Sequence, residues 1–97
     1  MDLEEVMGIQ ELEKKKDKFK IMLTYVGGIA GQSVIKMINR SKYREQLYVI
    51  GVDSDENAVG LQWVDKGIVV DQVPDCFNQY DEIIKREQPD LILPTGE

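Results

Sequence analysis

The sequence contains no histidine and only one cysteine, Cys76, among its 97 residues. Protein zinc sites are built from several cysteine and histidine ligands, so this composition argues against a zinc site. A single cysteine also excludes an intramolecular disulfide, which suits a protein of the reducing cytoplasm. With no histidine to activate it, Cys76 is interpreted as a small, partly buried residue and not as a nucleophile.

Basic residues and long apolar runs are also scarce. The chain has 12 lysines and arginines against 18 acidic residues, for a net charge of −6. Nucleic-acid binding needs a basic surface, so we expect no nucleic-acid partner. No apolar run approaches the ~20 residues of a membrane span, and the acidic start MDLEEVMG lacks the features of a signal peptide. We therefore expect a cytoplasmic protein without membrane contact.

The chain is long enough for one domain, preceded by a helical segment. Residues 1–18 carry apolar residues at helical spacing and predict an amphipathic N-terminal helix. This helix either covers part of its own domain or docks on a neighbouring subunit, which would give a homo-oligomer. Residues 19–97 form the domain proper.

From residue 19 onwards, short apolar runs alternate with helical segments. The runs FKIMLTYV, LYVIGVD, IVV and PDLILPT predict four strands, the first two buried on both faces. Helices are predicted over residues 31–40 and 74–88, the latter with Phe77 in its buried stripe, and a short helix capped by Asp53 or Ser54 is predicted within residues 53–64. This alternation predicts right-handed crossovers. The expected fold is a three-layer, Rossmann-like α/β domain with a parallel sheet of order 3-2-1-4.

In such a sheet, ligands bind beyond the carboxyl ends of the strands. The segments 27–33, 53–56, 71–73 and 94–97 should meet there. We assign no catalytic and no metal-ligating residue. The candidate ligand-binding residues are Gly27, Gly28, Gly31, Gln32, Ser33, Asp53, Thr95 and Glu97.

The stretch TYVGGIAGQSVIKMI places three glycines between the first strand and the following helix. A dinucleotide fingerprint needs G-x-G-x-x-G, and Gly28 and Gly31 match its last two glycines whereas Val26 occupies the first position. A P-loop is excluded because no Gly-x4-Gly-Lys sequence occurs. Amides at a helix N-terminus attract anions, but glycines also allow a tight turn. Both interpretations stay open.

Acidic residues are expected around the same edge. Asp53 ends the second strand, where it can bind a ribose or cap a helix, and Glu97 follows the fourth strand. Asp55 and Asp71 are interpreted as turn residues, since aspartate is favoured in turns. Such a rim would repel a bare triphosphate, which weakens the idea that this chain holds ATP alone.

Three segments taken together resemble a protein family: KIMLTYVGGIAGQSVIKMI, YVIGVDSDENAVGLQWVDKGIVV and PDCFNQYDEIIKREQPDLILPTGE. They look like the N-terminal, Rossmann-like domain of ATP-grasp enzymes, especially those related to the carbamoyl-phosphate synthase large subunit. The resemblance covers residues 20–97 and rests on the order and spacing of the segments. Two features depart from the family pattern: the leading helix over residues 1–18, and the glycine that separates Glu97 from the preceding Pro-Thr.

The resemblance implies ligase chemistry in an intact enzyme, where ATP activates a carboxylate as an acyl phosphate and an amine or ammonia displaces the phosphate. ATP and Mg²⁺ would be held by two ATP-grasp subdomains, which would be the partners of this chain. The chain alone would be inactive. The resemblance also implies that a small carboxylate or amine substrate lies beside a set of family-matching positions: Gly27, Gly28, Gly31, Asp53, Thr95 and Glu97.

Two other functions stay open. Gly28, Gly31 and Asp53 are also compatible with the NAD(P)-binding domain of a dehydrogenase or an epimerase. Alternatively, the chain is a non-enzymatic assembly module that uses residues 1–18 as its partner surface.

Overall fold

The computed structural model describes residues 18–96, which form a parallel sheet with a helix on each face. The helices and strands in chain order are β1 (Phe19–Thr24), α1 (Ile29–Asn39), β2 (Leu47–Asp53), β3 (Lys66–Val69), α2 (Cys76–Glu87) and β4 (Leu91–Pro94). Two short 3-10 turns cover Arg44–Gln46 and Val59–Gln62. Residues 1–17, which carry most of the predicted N-terminal helix, and the candidate residue Glu97 lie outside the described residues.

The sheet confirms the predicted fold class and strand order. Its order is β3-β2-β1-β4, and every neighbouring pair is parallel. All four strands therefore start at one edge, here called the amino edge, and finish at the other, the carboxyl edge. Neither helix within residues 18–96 is both long and apolar enough to span a bilayer.

The two central strands carry the core because both of their faces are covered. On one face, Ile35 and Ile38 of α1 pack on a cluster with side chains of β1 and β2: Phe19, Ile21, Leu23, Leu47 and Val49. On the other face, Cys76 and Ile83 of α2 pack on Met22, Ile50 and Val52. Fully burying one such side chain contributes about 1.5–3 kcal/mol. The continuous apolar sequences of β1 and β2 thus fix which strands lie in the middle.

The predicted short helix within residues 53–64 is wrong, since only the 3-10 turn Val59–Gln62 forms. The side chains of Asp53 and Asp55 each accept a hydrogen bond from the amide two residues further on. These local bonds compete with helical hydrogen bonding. The turn also packs closely on the chain after β1, because a Cβ at Gly60 would lie 2.1 Å from the carbonyl oxygen of Val26.

Phe77 was expected in the buried stripe of the last helix, and this prediction is also wrong. Its side chain is 57% exposed. The helix begins at Cys76, which is buried together with Ile83 and Glu87. Because a helix turns about 100° per residue, Phe77 lies one position away from this stripe and points outward.

Glu87 in the last turn of α2 connects the helix to the amino edge of the sheet. Glu87 is only 7% exposed. Its Oε2 accepts hydrogen bonds from Lys66 Nζ at 2.9 Å and from Arg86 Nε at 3.1 Å. The Glu87 carbonyl accepts a further bond from Lys20 Nζ at 2.9 Å. The bonds from Lys66 and then Arg86 hold the pKa of Glu87 below its ordinary 4.5, although burial alone would raise it.

Arg44 makes a second ionic contact at the amino edge. Its guanidinium contacts Asp65 Oδ2 at 3.1 Å and donates to the carbonyl of Leu47 at 3.1 Å. Asp65 Oδ2 also accepts the amide of Val49 at 2.7 Å. The amino edge is therefore held by charge pairs, in which Glu87 is the buried member and its basic partners remain partly or largely exposed.

We predict that Glu87→Gln lowers the free energy of unfolding by roughly 1–3 kcal/mol at pH 7, because a charged acceptor of two hydrogen bonds is lost. A folded-state pKa below the unfolded-state value gives stability that is present above about pH 4.5 and is lost as the pH falls through the lowered pKa. Urea unfolding between pH 3 and 7 measures both effects. Glu87→Gln should flatten this pH dependence.

The control is Glu82→Gln on the exposed side of the same helix. It changes the net charge equally and should leave the stability within about 0.5 kcal/mol. Equal losses in the two variants would contradict the role of Glu87.

Candidate functional site

The carboxylate of Asp53 joins two loops at the carboxyl edge. Asp53 is 9% exposed. Its Oδ2 accepts the amide of Gly27 at 2.8 Å, and its Oδ1 accepts the amide of Asp55 at 2.9 Å. Both oxygens are thus engaged by backbone. The loop after β1 and the loop after β2 are held in one arrangement.

Tyr25 opens the loop after β1 in an unusual conformation. Its φ is 59°, in the left-handed region that bulky side chains rarely adopt. Two contacts fix this conformation. The amide of Gly28 donates to the Tyr25 carbonyl at 3.1 Å. The Tyr25 side chain packs against Gly96, where an added Cβ would lie only 2.8 Å from the Cβ of Tyr25. The hydroxyl of Thr95 donates to the neighbouring carbonyl of Thr24.

Two of the three loop glycines are required by contacts within the protein. A Cβ on Gly27 would lie 2.8 Å from the Cβ of Ala58, and one on Gly31 would lie 2.5 Å from the carbonyl oxygen of Tyr25. Gly28 differs, because it is exposed and a Cβ there would meet only that carbonyl oxygen, at 3.4 Å. Of the three, Gly28 alone is open to the approach of a ligand.

The remaining predicted residues divide into inward and outward positions. Gln32 turns back on the loop, and its Nε2 donates to the carbonyl of Gly27 at 2.9 Å. Ser33 is exposed, and so is Ile29 at the start of α1, at 87%. The structure therefore brings five candidates together as mutual supports: Gly27, Gly31, Gln32, Asp53 and Thr95. Gly28 and Ser33 face solvent.

A small open cleft lies beside these supports at the carboxyl edge. Its volume is about 50 Å³, and its polar and aromatic lining comes from Tyr25, Ser54, Asp71, Gln72, Cys76 and Tyr80. None of the candidate ligand-binding residues lines it. The sequence predicts residues 71–73 at this edge and Cys76 as a small, partly buried residue, and it assigns no ligand-binding role to Tyr25 or Tyr80.

Tyr80 is the most perturbed titratable group of the cleft. Its pKa is raised to about 12, mainly by burial. Electrostatic repulsion from the neighbouring groups raises it further, in the order Cys76, Tyr25 and Asp53. The phenol therefore stays protonated at neutral pH and can donate or accept a hydrogen bond. Cys76 is buried at the first position of α2.

The volume of the cleft and the scarcity of metal-binding side chains limit the ligands that it can hold. Pockets for drug-sized ligands enclose roughly 300–1,000 Å³, so about 50 Å³ suits one small group and not a nucleotide. Among residues 18–96, no cluster of three histidine, cysteine or acidic side chains is arranged to hold a metal ion.

We predict that Gly31→Ala destabilises the fold by roughly 1–3 kcal/mol, because its methyl group meets backbone atoms that cannot move aside. Gly28→Ala is the matched variant. Its backbone has φ −78° and space for a methyl group, so its stability should change by less than about 0.5 kcal/mol. Urea unfolding compares the two. Equal stability of both variants would contradict the packing role of Gly31.

Comparison with other proteins gives no family for this chain. No family model, curated protein or solved structure matches it.

Proposed function

We propose that this chain is the substrate-side N-terminal domain of an ATP-grasp ligase related to the carbamoyl-phosphate synthase large subunit. The observation that carries the proposal is the strand order 3-2-1-4 with all strands parallel. In this order, the three segments that resemble the family bring their strand ends to one edge of the sheet. That edge is where ligands bind in open parallel sheets.

In the intact enzyme, ATP would activate a carboxylate as an acyl phosphate, and an amine or ammonia would displace the phosphate. The proposed task of this chain is to supply one rigid wall of the cleft. The bonds made by Asp53, Gln32 and Thr95 support that task, because they fix the loops without a ligand.

ATP and Mg²⁺ are assigned to the ATP-grasp subdomains of the parent protein. A cleft of about 50 Å³ is too small for a nucleotide, which favours a substrate-side role over a nucleotide-binding one. We place the protein in the cytoplasm, since Cys76 has no partner cysteine in the sequence.

An NAD(P)-binding domain is the alternative, favoured by the position of Asp53 at the end of β2 and by Gly28 and Gly31 at the start of α1. Two contacts count against it. Each Asp53 oxygen already accepts one backbone amide, and the residue is only 9% exposed, which leaves fewer acceptor positions open to ribose hydroxyl groups. The Gly27 amide is engaged by Asp53 and does not face a pyrophosphate.

We predict that the 97-residue chain neither hydrolyses Mg·ATP nor binds NADH with micromolar affinity. Phosphate release and NADH fluorescence measure the two activities. Clear ATP turnover would overturn the assignment of a chain that is inactive alone. Micromolar NADH binding would favour the dehydrogenase or epimerase alternative.

The positive test is to read the coding sequence that follows Glu97 in the same gene, or the gene next to it. We expect it to encode a glycine-rich hairpin that bears a lysine, as ATP-grasp subdomains do. A different domain at both places would contradict the proposal.

A further inference from the structure

Charged residues are segregated between the two edges of the sheet. The loops at the carboxyl edge, residues 25–28, 53–58, 70–75 and 95–96, contain no lysine or arginine, and their acidic residues are Asp53, Asp55, Glu56, Asp71 and Asp75. Lysines and arginines instead lie at the starts of β1 and β3, between α1 and β2, and in the last turns of both helices. The N-termini of α1 and α2 also lie at this edge and each contributes roughly half a positive charge. Five carboxylates outweigh these two partial charges, so the net potential is negative and favours cations over phosphates and carboxylates.

The cleft lies within this negative region and has aromatic residues in its lining. Tyr25 and Tyr80 both contribute to it, together with the exposed residue Asp71. Aromatic rings attract cations through their negative faces, and a carboxylate adds a direct charge. A volume of about 50 Å³ admits the head group of a ligand, because roughly 10–15 Å³ on the same measure is enough to hold one water molecule.

We propose that this cleft binds the ammonium group of a small organic molecule, with Tyr25, Tyr80 and Asp71 as the recognising residues. The inference rests on the proposed function in one respect, since it selects a positively charged substrate for the ligase. A protonated amine has no free electron pair and is not a nucleophile. The cleft therefore recognises the substrate and does not present the reacting atom.

Other small ligands fit the cleft less well. A carboxylate or phosphate would find no lysine or arginine in the surrounding loops. Mg²⁺ requires octahedral oxygen ligands, and among residues 18–96 no three acidic, cysteine or histidine side chains come together for a metal. An organic ammonium needs only negative charge and aromatic surface.

The test is a titration of the ¹⁵N-labelled full chain with methylammonium chloride at pH 7, with potassium chloride at matched ionic strength as reference. We expect saturable shifts of the amides of Asp71, Gln72 and Cys76, with a dissociation constant on the order of tens of millimolar, because two cation–π contacts and one carboxylate each attract the cation only weakly in a wet site. Sodium acetate and magnesium chloride are titrated as probes of the competing ligand classes.

Asp71→Asn should weaken methylammonium binding by about threefold to tenfold, as expected for the loss of one nearby charge in a wet site. Asp81→Asn is the matched control, because it removes the same charge from an exposed position of α2 outside the cleft. Its affinity should equal that of the unmodified chain.

Equal weakening by both substitutions, saturable acetate shifts at the cleft amides, or tighter binding of Mg²⁺ than of methylammonium would each overturn the inference. Its failure can be distinguished from that of the proposed function. Cation binding by a chain whose gene has no ATP-grasp neighbour would leave the cleft assignment standing. Absence of cation binding beside an ATP-grasp neighbour would leave the ligase assignment standing.

Discussion

The hydrogen bonds of the Asp53 carboxylate are the constraint on which the carboxyl edge depends. One carboxylate accepts the amides of Gly27 and Asp55 and so joins the ends of the two central strands. The join leaves no room for a Cβ at Gly27, because Ala58 and Asp53 occupy that space. Asp53, which the sequence predicts as a ligand-binding residue, therefore also has a structural role, because it joins two loops.

The two edges of the sheet differ in how their acidic side chains are neutralised. At the amino edge, acidic side chains such as Glu87 and Asp65 are paired with lysine or arginine. At the carboxyl edge, Asp55 and Asp71 are exposed and have no basic residue in the surrounding loops. Charge pairs between elements stabilise the fold at the amino edge, whereas no lysine or arginine in the carboxyl-edge loops neutralises their acids.

The fold could be predicted from the sequence because the apolar runs of β1 and β2 leave little choice about which strands are central. The details that failed depend on local competition. Residues 53–64 have an acceptable helical pattern, but the Asp53 and Asp55 side chains take amides that a helix would use. Phe77 follows the buried Cys76 by one residue, and the rotation of about 100° between them turns it out of the buried stripe. The cleft was missed because Tyr25 adopts a left-handed conformation that sequence patterns assign to glycine or asparagine.

The separation of charge also affects how other molecules meet this protein. Within residues 18–96, the lysines and arginines lie towards the amino edge and the carboxyl-edge loops carry only acidic charged residues, so this part of the domain has an electric dipole roughly parallel to its strands. In dilute salt, the field of an approaching ion exerts a torque on this dipole and turns the protein before contact. At about 0.1 M salt the field decays within roughly 10 Å. The protein and the ion would then orient each other only at separations of a few water layers. The rate at which cations reach the carboxyl edge should therefore fall steeply as salt is added.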